Sequence, residues 1–170
     1  MASFIEFDGK KPQVAPSAYI APTAVLIGDV IVEDEASVWW GAVLRADFNR
    51  IVVGHGSCVQ DNCVLHTDEA MPTVIGNNVA VGHNCTLEAC AIEEDVLVGM
   101  GSILLQRSRV GHGSLVAAGS VLLEDFHVPP EVLVAGVPAV VKGALGDGAS
   151  TWIQRAAAEY RDLRLRYMNP

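Results

Sequence analysis

The sequence predicts an all-β solenoid, a parallel β-helix of hexapeptide repeats, followed by a C-terminal α-helix. In its central part an aliphatic residue recurs almost every six positions, at Ile75, Val81, Leu87, Ile92, Val98, Leu104, Val110 and Val116. Four residues after each of them lies a small or β-branched residue, beginning with Val79, Cys85 and Ala91. Two periods locked in this way indicate short repeats that bury their apolar sides by stacking on one another.

The N-terminal half follows the same pattern with two interruptions. Residues 1–17 contain two prolines and predict an extended lead-in that covers the open end of the solenoid. A three-residue slip is predicted over Arg50–Val52, and TDEAMPT, residues 67–73, predicts a projecting loop because Pro72 and two acids break the period. The hexads around these interruptions begin at Ile20, Leu26, Val32, Val38, Leu44, Val53, Val59 and Leu65.

The C-terminal part predicts an exit from the solenoid and one helix. The repeat is expected to end at Leu122, AGVPA (residues 135–139) to form a turn, and GALGDGAS to form a linker. Ser150 or Thr151 is the expected helix cap. The apolar stripe that should pack on the solenoid consists of Trp152, Ala156, Tyr160 and Leu163. The predicted division is residues 1–143 for the β-helix domain with its lead-in and residues 144–170 for linker and helix.

Composition limits the classes of function. The chain has 170 residues and a net charge of −9, which fits one domain and disfavours binding to nucleic acid or acidic membranes. The sequence contains no run of 18 apolar residues that would predict a membrane span. The N-terminus has no secretory or transit character, so a cytoplasmic location is expected. A small neutral molecule or a protein is the expected partner.

The four cysteines are expected to be reduced thiols in the core. Cys58, Cys63, Cys85 and Cys90 form no CxxC pair, and nothing in the sequence places them in a secretory context. Cys63 and Cys85 occupy the small, inward position of the repeat. Packing as small hydrophobic residues is therefore favoured over disulfides or metal binding.

Polar side chains follow the inward aliphatic residue in three hexads that lie one coil apart. Arg45, His66 and Glu88 hold this position when the slip and the loop are counted as insertions. The residue after an inward side chain points outward, and every third hexad returns to the same face. The three side chains should therefore form an outward ladder.

A second ladder is predicted on the adjoining face, from Asp61 and His83. His66 and Glu88 should lie close enough to share a metal ion, and His83 would add a third ligand. His83 points from a different face, so it would have to come from another subunit, which predicts a site between the chains of a C3 trimer. The other histidines are expected on the surface, two on the third face and one in the exit turn: His55, His112 and His127.

Four segments together resemble the gamma-class carbonic anhydrases and related left-handed β-helix proteins. They are WWGAVLRADFNRI (39–51), VQDNCVLH (59–66), TVIGNNVAVGHNC (73–85) and VLVGMGSILL (96–105). The resemblance implies a homotrimer with a zinc or iron ion held at each interface by three histidines. His66 and His83 match two of these ligands, and Glu88 stands where the family has the third. The family's surrounding site residues are matched by Arg45, Asp47, Gln60 and Asp61.

The activity implied by the resemblance is reversible hydration of carbon dioxide to bicarbonate by a metal-bound hydroxide. Gln60 is expected to orient the hydroxide, and Arg45 with Asp47 or Asp61 to link the subunits. Glu88 should make the metal a weaker Lewis acid than a third imidazole would, so turnover near neutral pH should be slower. Two alternatives stay open: a hexapeptide-repeat acyltransferase with His83 as general base, and a catalytically silent scaffold in which Glu88 forms a salt bridge with Arg45 or with a partner chain.

Overall fold

The structure, a computed structural model, describes residues 2–146 and 148–169 and confirms the predicted fold class, a left-handed parallel β-helix with a C-terminal helix. The strands of the N-terminal half are β1 (Ser3–Ile5), β2 (Gln13–Val14), β3 (Tyr19–Ile20), β4 (Val25–Val32), β5 (Ser37–Val38), β6 (Val43–Val53), β7 (Cys58–Val59), β8 (Val64–His66), β9 (Thr73–Ile75) and β10 (Ala80–Val81). The elements that follow are β11 (Thr86–Glu88), β12 (Ala91–Ile92), β13 (Leu97–Val98), β14 (Ile103–Leu104), β15 (Arg109–Val110), β16 (Leu115–Val116), β17 (Val121–Leu122), β18 (His127–Val128), β19 (Val132–Gly136), β20 (Ala139–Ala144) and helix α1 (Ala149–Met168).

Three faces of stacked strands enclose the core. The helix-bearing face contains β3, β5, β7, β10, β13, β16 and β19. The ladder face contains β1, β8, β11, β14 and β17 with the first halves of β4 and β6, whose second halves belong to the third face with β2, β9, β12, β15 and β18. Each coil therefore contributes one strand to each face, as three hexads per turn require.

The core is a column of aliphatic side chains, one from each hexad. Every predicted hexad residue from Leu26 to Leu122 is at most 2% exposed. The column continues through Val128 and Val134, so the prediction that the repeat ends at Leu122 was wrong. Glu124, Asp125 and Pro130 lie in turns between these strands, so the inward positions keep their spacing. His127 accordingly lies in β18 and not in an exit turn.

The predicted slip lies a few residues earlier in the chain than expected. The pairing of β4 with β6 passes from Gly28–Ala46 to Val30–Ile51, so β6 carries three extra residues between these pairs. The residues after Arg50 remain in the regular ladder, because Ile51 is buried and pairs with β9. The hexad period shows where the repeat resumes but not which residues are inserted. The inserted residues bring Asp47 to the ladder face.

The N-terminal lead-in forms the first coil, because β1 and β2 both pair with β4. Asp29 ties this coil to the next: its Oδ2 lies 3.4 Å from Lys10 Nζ and 3.2 Å from Arg50 Nη2. Burial opposes ionisation of Asp29, yet the hydrogen bonds and charges of Arg50 and Lys10 outweigh it and lower the carboxyl pKa. The carboxylate therefore stays ionised in a nearly buried position.

The chain leaves the solenoid through the antiparallel hairpin of β19 and β20, with the AGVPA segment at its turn. β20 extends to Ala144, so the linker is shorter than predicted. The helix begins after Gly148, whose φ of 85° suits glycine, and no side chain caps it. The prediction of Ser150 or Thr151 as the cap was therefore wrong.

Helix α1 packs on the helix-bearing face. Ala156, Tyr160 and Leu163 of the predicted stripe contact the cluster of Trp39, Cys58 and Ala80. Trp152 is 64% exposed, because the buried side of the first turns is centred on Ile153 and Ala157. Near the other end, Arg164 is buried and donates a hydrogen bond to the Ser17 carbonyl, which anchors the helix to the N-terminal coils. The division at residue 143 stays a prediction.

All four cysteines are free and buried, as predicted. Burial raises the pKa of the Cys58 and Cys90 thiols to about 12, which keeps both protonated. In the part of the chain that the structure describes, α1 is too polar to cross a lipid bilayer.

Candidate functional site

Arg45, His66 and Glu88 stand on successive rungs of the ladder face, in the register that the hexad count predicts. Arg45 pairs with His66 across β6 and β8, and His66 pairs with Glu88 across β8 and β11. Leu44, Leu65 and Leu87, the residues before them, are fully buried. Alternation along each strand therefore directs the three polar side chains outward.

The His66 ring lies between two carboxylates. Its Nδ1 is 3.3 Å from Glu88 Oε1, and its Nε2 is 3.0 Å from Asp47 Oδ1. Asp47 also forms an ion pair with Arg45. Burial alone would raise the pKa of Asp47, but hydrogen bonds from Arg45 and His66 outweigh it and lower that pKa. Asp47 is therefore a stable anion that holds one ring nitrogen of His66.

His83 lies in the turn at the end of the helix-bearing face. The second ladder, Asp61 and His83, therefore runs along a corner of the solenoid, whereas it was predicted on a face. Its Nδ1 is 2.7 Å from Asp61 Oδ2 on the preceding coil. Gly82 lets the coils stack closely here, because a Cβ at this position would lie 2.7 Å from the Met100 backbone nitrogen. The Asp61 carboxylate fixes the ring and leaves Nε2 directed away from it.

Tyr160 is a site residue that sequence reasoning assigned only to helix packing. Its hydroxyl lies 3.4 Å from His83 Nε2, and its ring packs edge-on against Trp39 with centroids 5.0 Å apart. Burial, reinforced by Asp61 and other nearby groups, raises the Tyr160 pKa, so the hydroxyl remains protonated. No spacing rule links two residues 77 positions apart, so only the helix docking reveals this contact.

Gln60 lies beside Asp61 with only 7% of its surface exposed. Its Nε2 makes a long 3.8 Å contact with Cys58 Sγ. Among the described residues the amide has no stronger hydrogen-bond partner. A nearly buried amide with spare donor and acceptor capacity is suited to binding a ligand.

The remaining histidines belong to other surfaces. His55 Nε2 lies 3.8 Å from Glu35, and His112 Nδ1 lies 3.7 Å from Glu93, with all four side chains about half exposed. The exposed His127 side chain projects from the third face. All three histidines have the predicted surface role, but His55 and His112 lie in turns and not on the third face as predicted.

Within one chain, residues 2–146 and 148–169 bring together no group of three histidine, cysteine or carboxylate side chains able to hold a metal ion. His66 and Glu88 project from the ladder face, and His83 projects from the corner. A metal site that uses all three side chains as ligands would therefore have to be shared by two chains.

The chemistry of these side chains fits a metal ion. Each histidine has one ring nitrogen on a carboxylate, His66 on Asp47 and His83 on Asp61, which is the usual orientation of metal-binding histidines. The other ring nitrogen of His66 faces Glu88 at 3.3 Å. Two donors on a tetrahedral zinc ion, with bonds of about 2.0–2.1 Å, are separated by about 3.4 Å. The pair therefore has the spacing of two ligands of one ion.

Curated relatives cover most of this chain. Gamma carbonic anhydrase 2, mitochondrial, of Arabidopsis thaliana is 38% identical over 160 residues, which are 91% of this chain and 58% of the relative, so the chain spans less than two thirds of that protein. The carnitine operon protein CaiE of Escherichia coli O157:H7 is 39% identical over 163 residues, 95% of this chain and 82% of CaiE. No family model matches the sequence.

Solved structures share the complete fold. A hexapeptide transferase family protein from Anaplasma phagocytophilum superposes with a TM-score of 0.94 at 39% identity, covering 97% of this chain and 98% of its own. A Bacillus cereus protein with a proposed acetyltransferase assignment gives 0.96 at 35% identity, with 98% and 96% covered. The chain belongs to the family of hexapeptide-repeat, left-handed β-helix proteins that includes the gamma carbonic anhydrases and CaiE.

Proposed function

We propose that this protein is a gamma-type carbonic anhydrase, a lyase that reversibly hydrates carbon dioxide to bicarbonate at a metal centre between the subunits of a homotrimer. The observation that carries the proposal is the arrangement of the two histidines. His66 and Glu88 present donor atoms 3.3 Å apart, and His83 projects from the next corner with Asp61 behind it. The relationship to gamma carbonic anhydrases supports the same activity.

A zinc or iron ion would be held by His66 and Glu88 of one subunit and by His83 of its neighbour. When bound, the metal supplies a hydroxide nucleophile near neutral pH for attack on carbon dioxide. Glu88 brings a negative charge where a third histidine would be neutral, so the proposed enzyme is slower at pH 7 than a three-histidine site.

The residues around the ligands have separate tasks. Asp47 and Asp61 each accept a hydrogen bond from a histidine, which orients the ring and leaves the opposite nitrogen for the metal. Arg45 holds Asp47 in place through its ion pair. Gln60, beside Asp61, offers an amide that can orient carbon dioxide or bicarbonate by hydrogen bonding.

Exposed apolar side chains on the ladder face support the homotrimer. Val64 and Ile103 are exposed on rungs two coils apart, and the centroid of the exposed Phe48 ring lies 5.7 Å from that of the His66 ring. Apolar groups exposed around a charged cluster are typical of a contact surface. In a closed ring of three copies, every His83 can meet the His66–Glu88 pair of another subunit.

An acyltransferase is the second candidate, because His83 with Asp61 has the form of a general base and its orienting carboxylate. The similarity to the transferase structures supports this candidate. A silent scaffold is the third, since Glu88 and Asp47 can satisfy His66 without a metal. Metal content separates the proposed function from both alternatives.

The test combines metal analysis with stopped-flow hydration of carbon dioxide. We expect about one zinc or iron ion per chain and metal-dependent hydration that disappears after chelation and returns on adding the metal. Purified protein that holds no zinc or iron after reconstitution, or loaded protein that leaves the hydration rate unchanged, would contradict the proposal.

A further inference from the structure

A groove of about 550 Å³ runs between α1 and the helix-bearing face and ends at His83 and Gln60. Leu97, Met100 and Leu115 line the solenoid side, and Trp152 and Ala156 line the helix side. The exposed Trp152 ring, which the core does not use, forms part of this wall. The lining of the groove is therefore mostly apolar, with polar groups at one end and the Arg155 and Glu159 pair on the helix side.

The groove is much larger than carbon dioxide requires. Pockets for organic molecules of drug size have volumes of about 300–1,000 Å³. A three-atom substrate would use only the polar end beside His83. The apolar walls therefore have a size suited to a larger group.

The polar end offers an amide with spare hydrogen-bonding capacity. Gln60 is nearly buried, lines the groove and makes only a long contact with Cys58 Sγ among the described residues. Its N–H groups can donate to a carbonyl oxygen, and its own oxygen can accept from an N–H group. This combination is complementary to a carbonyl compound.

The charges along the groove favour an uncharged ligand. Arg155 and Glu159 line it, but they pair with each other, with Nη2 and Oε1 3.3 Å apart. Asp61 stands against His83 at the polar end and disfavours an anion there in the metal-free protein. A neutral carbonyl group is thus matched better than a carboxylate.

We propose that this groove binds an uncharged carbonyl compound carrying an aromatic or branched aliphatic group. The carbonyl group lies at Gln60, and the apolar group lies between Leu97, Leu115 and Trp152. Only the assignment of this ligand to the same His83 site rests on the proposed function. Binding in the groove itself needs no metal.

Benzamide is the probe, titrated by NMR into both metal-free and metal-loaded protein. We expect a Kd of about 1 mM, as for a fragment of this size, and at least about tenfold weaker binding of acetamide, which lacks the ring. Ala118→Trp places a large ring at the exposed rim of the groove and should weaken benzamide binding about tenfold or more. Leu123→Trp, at an exposed turn outside the groove, is the matched control and should bind benzamide normally.

Gln60→Leu tests the polar end. Losing one or two hydrogen bonds should weaken benzamide about three- to tenfold. Benzamide that fails to bind, or that binds Ala118→Trp as well as the original protein, overturns the groove proposal even if carbon dioxide is hydrated. Benzamide binding that follows these variants, in a protein without hydratase activity, supports the groove and contradicts only the proposed function.

Discussion

His83→Ala should reduce the metal content from about one ion per chain to less than about a tenth of that. Changing residues that merely orient metal ligands typically costs about 10–100-fold in affinity, so removing a ligand should cost more than about 100-fold. Carbon dioxide hydration should fall with the metal. The fold should persist, because the partly exposed side chain lies in a corner and its contacts are Asp61 and the Tyr160 hydroxyl, outside the aliphatic column.

His55→Ala is the matched control, since His55 is also an outward histidine in a turn near a carboxylate. Its metal content and hydration rate should equal those of the original protein. Metal analysis, circular dichroism and light scattering on both variants provide the measurements. Unchanged metal stoichiometry in His83→Ala would show that this histidine is not a ligand.

Glu88→His should raise the hydration rate near pH 7.5 about three- to tenfold once metal is bound. A neutral imidazole on the rung beside His66 completes a three-histidine set and makes the metal a stronger Lewis acid. The pH midpoint of the rate should accordingly move down toward about 7. The backbone should tolerate the change, because Glu88 points outward and is only half-buried.

Glu88→Gln tests whether residue 88 binds the metal or only packs against its neighbours, because it keeps the shape of the side chain and removes its charge. This variant should bind metal more weakly than either the original protein or Glu88→His. The comparison uses metal affinity and stopped-flow rates between pH 6 and 9. Equal metal affinity in all three proteins, with no shift of the pH midpoint, would mean that residue 88 does not touch the metal.

The coil arrangement was predictable because each inward position must be filled by an aliphatic residue that stacks on the coil below. Leu65 and Leu87 alone set the register that brings His66 and Glu88 together. The insertion at Asp47–Arg50 could not be placed, because its residues project outward and no packing rule selects their types. Asp47 was assigned to the site by resemblance, and its contact with His66 depends on that insertion.

The helix shows where a local pattern fails. Trp152 matched an apolar stripe, but docking is decided by the shape of the surface under α1, where Trp39 and Cys58 accept Ala156 and Tyr160. The groove beside Trp152 exists only because the helix rests in that position. Contacts between segments that are far apart in sequence, such as that of Tyr160 with His83, therefore cannot be predicted from periodicity.

The proposed metal site is built from two chains, and subunit mixing tests this most directly. His66→Ala chains keep His83, and His83→Ala chains keep the His66–Glu88 pair, so each variant alone should form a metal-free trimer. Equal amounts of the two variants are unfolded and refolded together. Each random trimer that contains both variants then has one intact interface out of three. Over all trimers, about a quarter of the sites should bind metal again. Metal content and hydration activity that recover to this level are the predicted result. Mixed trimers without restored metal, or either variant binding metal on its own, would contradict a site shared between subunits.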